Sequence, residues 1–250
     1  ATIYDTSDTA FTVDNTDPVT TYAINPVSPN GSNGWYVSVP TITLTCDDGS
    51  GSGCNNTYYK WDGAASWTTY VTPFVALEDE RILSFYSDDQ ATDASGLRNE
   101  ETVQTRTIKV DTVIPTVAVT SMTADGAYNE PDAINVTLTF SEAVSSANAL
   151  TVTLDTGGTC SIPVLTNATT GTCTYTVGAG QNSSDLNVTS IVPVSGVVED
   201  VAGNDSTLVP GPGDNLADTS AIVIDTTAPS AFTVGGVFSR GGTEVASYWN

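Results

Sequence analysis

The chain has 250 residues, with 29 acidic side chains, 6 basic ones and no histidine, for a formal charge of −23. This balance argues against nucleic acid or a bare anionic membrane as partner, because both are held by clustered Lys and Arg. Without histidine there is no Ser-His-Asp or Cys-His arrangement and no imidazole metal ligand, so no enzymatic activity is expected.

Thr, Val, Ser, Asn, Asp and Gly dominate, Lys and Glu are scarce, and no stretch keeps helical periodicity, which predicts an all-β fold. No apolar run approaches the roughly 18 residues that a membrane helix needs. Residues 1–17 read as the last strand of a preceding unit or as a free donor strand. The opening Ala1-Thr2-Ile3-Tyr4-Asp5 lacks the basic start and apolar core of a signal peptide, so the chain is expected to be processed or cut from something longer. Strands are then expected over 20–24, 35–45, 57–62, 68–71, 81–87 and 103–110. A second series is expected over 116–121, 134–140, 149–154, 161–165, 172–177, 187–192 and 219–224. Ile134-Asn135-Val136-Thr137-Leu138-Thr139-Phe140 alternates most clearly and should bury one face.

Three junctions share one form: an alternating strand, an Asp, three residues and a Pro. They are Asp14 to Pro18, Asp111 to Pro115 and Asp225 to Pro229. Proline lacks the N–H for sheet pairing and fixes φ, so each should end a strand and stiffen a link. The Asp residues lie 97 and then 114 positions apart, intervals that suit sandwiches of about 100 residues. The units are therefore 18–114 and 115–229, with 230–250 opening a following one. A tight turn, Asp-x-small-Gly, precedes two junctions, at Asp93-Ala94-Ser95-Gly96 and at Asp200-Val201-Ala202-Gly203.

Four cysteines fall in two close pairs. Locality favours Cys46 with Cys54 and Cys160 with Cys173, the second pair facing each other across a hairpin turning near Thr166 and Asn167. Such bridges belong to an oxidising compartment. The alternative is four reduced thiols; the CxxC spacing of a zinc site is missing.

At these residues a resemblance emerges. Leu138-Thr139-Phe140-Ser141-Glu142-Ala143-Val144, Tyr175 to Leu186, Asp200-Val201-Ala202-Gly203-Asn204-Asp205 and Ile222 to Pro229 resemble, in order, the bacterial immunoglobulin-like repeats of large surface and secreted proteins. Residues 18–114 look like another repeat type, that of the C-terminal domain of chitobiase and β-hexosaminidase. The matching stretches are Asn33-Gly34-Trp35-Tyr36, Thr43 to Gly49, Tyr58 to Gly63 and Tyr70 to Phe74, with Leu97 where Asn is common. The resemblance implies tandem β-sandwiches in stalks, adhesins or multi-module secreted proteins. The fold alone implies no single activity.

Calcium is the sharpest chemical expectation. Residues 115–229 carry 12 acidic side chains and neither Lys nor Arg, and like charge at that density repels itself. Ca²⁺ takes carboxylate and carbonyl oxygens, so the candidate ligands are the acids near unit ends: Asp111 and Asp225 at junctions, Asp93, Asp200 and Asp205 in the shared turns, and Asp125 and Glu142 nearby. The competing explanation is a solvated acidic surface with Asx turns; EF-hand and nonapeptide calcium motifs are absent. Trp35, Trp61 and Trp67 could stack on sugar rings, or fill the sandwich and its edges. Asn-x-Ser/Thr sequons occur at Asn30, Asn55, Asn135, Asn167, Asn182, Asn187 and Asn204, and in a composition this rich in Thr, Ser and Asn chance supplies several.

Taken together, the sequence predicts a structural or adhesive segment, secreted or on a cell surface, partnered by neighbouring repeats and by surface glycans or proteins. One alternative is a filament subunit whose terminal strand completes a neighbour's sheet. Another is a non-catalytic carbohydrate-binding region of a secreted hydrolase.

Overall fold

The computed structural model describes residues 13–93 and 95–231. The terminal-strand expectation for 1–17 therefore falls largely outside the described residues, and so does the opening of a following unit over 230–250. Among the described residues the regular structure is almost entirely β, as the β-branched composition dictates, with sheets that are antiparallel except at one pairing.

In the N-terminal half, β1 (Val19–Asn25), β2 (Thr41–Asp47), β3 (Cys54–Trp61), β4 (Thr68–Thr69), β5 (Phe74–Val75), β6 (Asp79–Thr92), β7 (Arg98–Glu100) and β8 (Gln104–Val110) form two sheets. One has the order β1-β2-β5. The other runs β4-β3-β6, with β7 and β8 both on the far edge of β6. In β2 the alternation of Thr-Ile-Thr-Leu turns Ile42 and Leu44 inward. They meet Leu83, Phe85, Ile108 and Val110 from the second sheet, with Tyr59 stacked on Phe74 at 4.0 Å and Tyr22 on Phe85 at 6.0 Å. The sheets are also tied by the Glu101 carboxylate, which accepts the N–H groups of Thr20 (3.0 Å) and Ser87 (2.9 Å) and the Nε2–H of Gln104 (2.9 Å).

Two departures from expectation have local causes. The strand expected over 35–45 starts only at Thr41, because Pro40 cannot donate to a ladder. Before it the chain loops through left-handed Asn33 (φ 52°) and Gly34 (φ 81°), and Tyr36 makes only an isolated bridge to Val110. The strand expected over 81–87 extends through β6 to Thr92, and its burial pattern breaks at Ser87-Asp88-Asp89, where three consecutive residues are buried.

In the C-terminal half, β9 (Val117–Thr120), β10 (Gly126–Tyr128), β11 (Ala133–Ser146), β12 (Leu150–Leu154), β13 (Thr159–Ile162), β14 (Ala168–Thr176), β15 (Asn182–Ser183), β16 (Val188–Pro193), β17 (Val198–Glu199) and β18 (Ile222–Asp225) form three sheets. β11 pairs with β9, β14 and β17; β12 pairs with β13 and β16; β18 pairs parallel with β10 and antiparallel with β15. The alternation in β11 buries Ile134, Val136, Leu138 and Phe140, as its sequence predicts. A single helical turn, α1 (Leu216–Thr219), was not expected. Asn215 starts it, its Oδ1 accepting the N–H of Leu216 (2.8 Å) while the Asp218 carboxylate accepts the N–H of Asn215 (3.0 Å).

Both disulfides pair as locality suggested, Cys46–Cys54 and Cys160–Cys173. The geometry of the second differs from expectation. Cys160 and Cys173 do not face each other in a hairpin, because β13 hydrogen-bonds to β12 and β14 to β11. The segment near Asn167 (φ 46°) is a corner between sheets, and the bridge crosses the core. Cys46–Cys54 likewise joins β2 of one sheet to β3 of the other.

Apart from Ala202, the buried hydrophobic residues among those described gather in two clusters with no common member, one drawn from residues 36–110 and the other from 117–224. Among the described residues no helix is long and apolar enough to cross a membrane.

Candidate functional site

The repeated Asp-to-Pro segment opens on the same turn at each of its three places. The Oδ1 of Asp14 accepts the N–H of Thr16 (3.0 Å), that of Asp111 the N–H of Val113 (3.0 Å), and that of Asp225 the N–H of Thr227 (2.9 Å). These are Asx turns, in which a short carboxylate caps the backbone two residues on. Beyond the first two turns, Pro18 and Pro115 are buried at the start of the following half, whereas Pro229 is exposed.

An asparagine holds each of the first two junctions. Asn99 donates through Nδ2 to the carbonyl of Asp14 (3.2 Å) and to Oδ2 of Asp89 (2.7 Å), while its backbone N–H reaches Oδ1 of Asp89 (3.3 Å). Asn204 repeats this pattern: Nδ2 to the carbonyl of Asp111 (3.0 Å) and to Oδ2 of Asp200 (2.9 Å), and backbone N–H to Oδ1 of Asp200 (2.9 Å). Asp89 and Asp200 thus play one role, each orienting the asparagine that grips the preceding linker.

A third acid completes each set. Pairing of β1 with β2 puts Val19 opposite Asp47, so one further step sets Asp48 against Pro18. Pairing of β9 with β11 puts Val117 opposite Phe140, and the Ser141 N–H to Thr116 carbonyl bond (2.9 Å) continues it, so Glu142 comes against Pro115. One carboxylate oxygen from each of Asp14, Asp48 and Asp89 lies within 4.8 Å of the others, and the same holds for Asp111, Glu142 and Asp200. β-Bulges supply the aim: Asp89 falls where the β6–β7 register slips between Asp88 and Thr92, and Glu142 where the β11–β14 register slips between Thr139 and Val144.

The electrostatics of the two sets differ. The N–H groups of Thr16 and Ser52 hold the Asp14 carboxyl below the usual carboxylate range. Burial pushes Asp111 up, reinforced by Asp200, Glu78 and Asp79 against the opposing Val113 N–H. Burial also raises Glu142, with Asp111 and Asp200 adding like-charge repulsion. Three carboxylates so disposed can accept N–H donors or a hard cation.

Of the seven acids predicted as ligands, Asp111, Glu142 and Asp200 are brought together. The other four are exposed and separate. Asp93 accepts the N–H groups of Ser95 (2.7 Å) and Leu97 (2.9 Å) in its own turn, Asp125 accepts the N–H of Ala221 (2.8 Å), Asp205 bridges to Glu199, and Asp225 makes its Asx turn. Asp14, Asp48 and Asp89 were missed. The turn at Asp93 matches the Asp200 turn in sequence, but the structural counterpart of Asp200 is Asp89, separated from its asparagine by ten residues instead of four. The legible signal was Asp14 itself, which shares the motif of Asp111.

Among the tryptophans, Trp61 packs on the N-terminal core edge-on to Phe74 (6.3 Å). Trp67 stands edge-on to Tyr86 (4.8 Å) with the Lys60 ammonium over its ring (4.5 Å), and Trp35 lies under Lys109 (5.7 Å).

The N-terminal half also touches the second junction directly. The Ser32 N–H donates to the carbonyl of Ala202 (2.7 Å), and Asn33 Nδ2 to that of Val201 (2.9 Å), so the 30–36 loop braces the turn that carries Asp200 and Asn204. Comparison with protein-family models, curated proteins and solved structures gave no match.

Proposed function

We propose that the chain is a structural segment of an extracellular or cell-surface protein, in which tandem immunoglobulin-like sandwiches joined by stiff linkers hold a working end at a distance. The observation that carries this reading is the duplicated junction: Asp14 gripped by Asn99 and Asp111 gripped by Asn204, with a buried proline four residues beyond each aspartate. A linker whose carbonyl is tied to the unit that follows, and whose next proline is buried there, loses the freedom of a flexible connector. Two separate cores and two sheet-crossing disulfides support independent, oxidation-stable units suited to the outside of a cell.

The test has two arms. Small-angle scattering of the chain should give a single well-defined maximum dimension, and Asn204→Ala, which removes the Asp111 clamp, should broaden the distance distribution while circular dichroism stays unchanged. Immunogold labelling of whole cells of the source organism should place the segment outside the envelope. Intracellular label, or a flexible particle with the clamp intact, would end the proposal.

A further inference from the structure

We infer that the two junctions are a matched pair of Ca²⁺ sites, the first held by Asp14, Asp48 and Asp89 and the second by Asp111, Glu142 and Asp200. Clustered acids alone would not carry this. The independent observation is an orphaned oxygen in each set. Asp48 is 7 % exposed; its Oδ2 accepts the N–H of Gly53 (2.6 Å), but its Oδ1 is fully buried and finds no hydrogen-bond donor among the described residues. In the second set Glu142 is half-buried as a residue, but its Oε1 atom is likewise buried and without a donor among the described residues. A buried carboxylate oxygen left without a partner forfeits the hydrogen bonds it made to water and gains nothing in return. It recurs here at the register-equivalent position of two halves that differ in sequence, in each case against the junction proline. A cation between the carboxylates would satisfy both oxygens.

The chemistry selects the ion. Every donor is a carboxylate, which suits a hard cation, and the oxygens are spread within 4.8 Å, a span that metal–oxygen distances of about 2.3–2.6 Å can bridge. Room beside the first set is kept by Gly51, where a Cβ would collide with the carboxylates of Asp48 and Asp14. No cationic side chain is available as a substitute in the second half, which has neither Lys nor Arg from residue 115 to 229. In each site one ligand comes from the linker and two from the sandwich after it, so the ion would lock the joint that the asparagine already holds. The sites depend on junction geometry alone, whatever load the segment bears.

Equilibrium dialysis of the chelator-treated 250-residue chain against Ca²⁺ should give two bound ions, with dissociation constants on the order of 10⁻⁴–10⁻³ M, as in other extracellular modules. Asp89→Asn should leave one, Asp200→Asn should leave one, and Asp93→Asn should leave two. Circular dichroism checks each fold, and Asp48→Asn and Glu142→Gln, which alter the orphaned oxygens, replace any variant that fails to fold. Fewer than two ions on the folded wild type, unchanged stoichiometry in the folded variants of both sites, or Mg²⁺ bound in preference to Ca²⁺ at equal concentration would overturn the inference. Scattering on the same samples keeps this result separate from the structural role, since a stiff particle that binds no Ca²⁺ loses only the sites.

Discussion

The two halves carry the same acidic load and manage it differently. Residues 18–114 and 115–229 each contain 12 acidic side chains, but the first also has five basic ones and the second has none. The first half spends its cations on ion pairs, Arg81 with Asp62 (3.2 Å) and Lys109 with Glu80 (3.3 Å), and on aromatic rings. Its fully buried core is thin, and half-exposed Tyr22, Tyr59, Trp61 and Phe74 extend it. The second half relies on a much larger apolar core that runs from Val117 to Ile224. Surface ion pairs contribute roughly 0–1 kcal/mol each, whereas burying a large aliphatic side chain contributes about 1.5–3 kcal/mol. An apolar interior thus lets the second half tolerate charge that no Lys or Arg of its own offsets.

Replacing Phe85 strikes the thin core at its centre. The side chain is wholly buried between the sheets, so Phe85→Ala should remove about 3–5 kcal/mol. Calorimetry should then show the N-terminal transition falling while the C-terminal one holds; if both fall together, the halves unfold as one unit and the contrast fails. Losing a disulfide comes next. Cys160→Ser with Cys173→Ser should lower the C-terminal transition by about 3 kcal/mol, and Cys46→Ser with Cys54→Ser the N-terminal one by slightly less, since its loop is shorter (8 against 13 residues of separation). Urea denaturation reads both, and unmoved midpoints would mean that the bridges constrain little beyond what packing already fixes.

The smallest effect is alkaline. Burial pushes Tyr22 up to about 12, with Tyr36 adding to the rise and Arg106 opposing it. The unfolded chain loses this proton near its ordinary value of 10 while the folded chain keeps it. The folded state therefore binds more protons across that window, and stability falls as pH climbs from about 10 to about 12. Tyr22→Phe should flatten this limb for the N-terminal half alone, as thermal melts across the window would reveal. An unchanged slope would assign the alkaline loss to other groups.

What the sequence disclosed follows the physics of each feature. Alternation in β11 and the repeated Asp-to-Pro spacing are local patterns, so the strand and the junctions could be read directly. Asp111, Glu142 and Asp200 could be nominated because two sit in short motifs and the third ends an alternating run. Asp89 could not. Its role comes from a bulge that breaks period two and from Asn99 ten residues later, across an insertion that carries the decoy turn at Asp93. Asp48 was hidden for a related reason, since what singles it out is the register of β1 against β2, a property of two strands together. The Cys160–Cys173 corner shows the same limit: proximity along the chain suggested the bond, but only the competition between β12 and β11 for neighbouring strands decided that it crosses the core.

The asparagine clamps also impose an order of events on a chain that emerges from its N-terminus. The carbonyl of Asp14 waits for Asn99, 85 residues later, and that of Asp111 for Asn204, 93 residues later. Each junction therefore gains its asparagine clamp only once most of the half that follows it has been made.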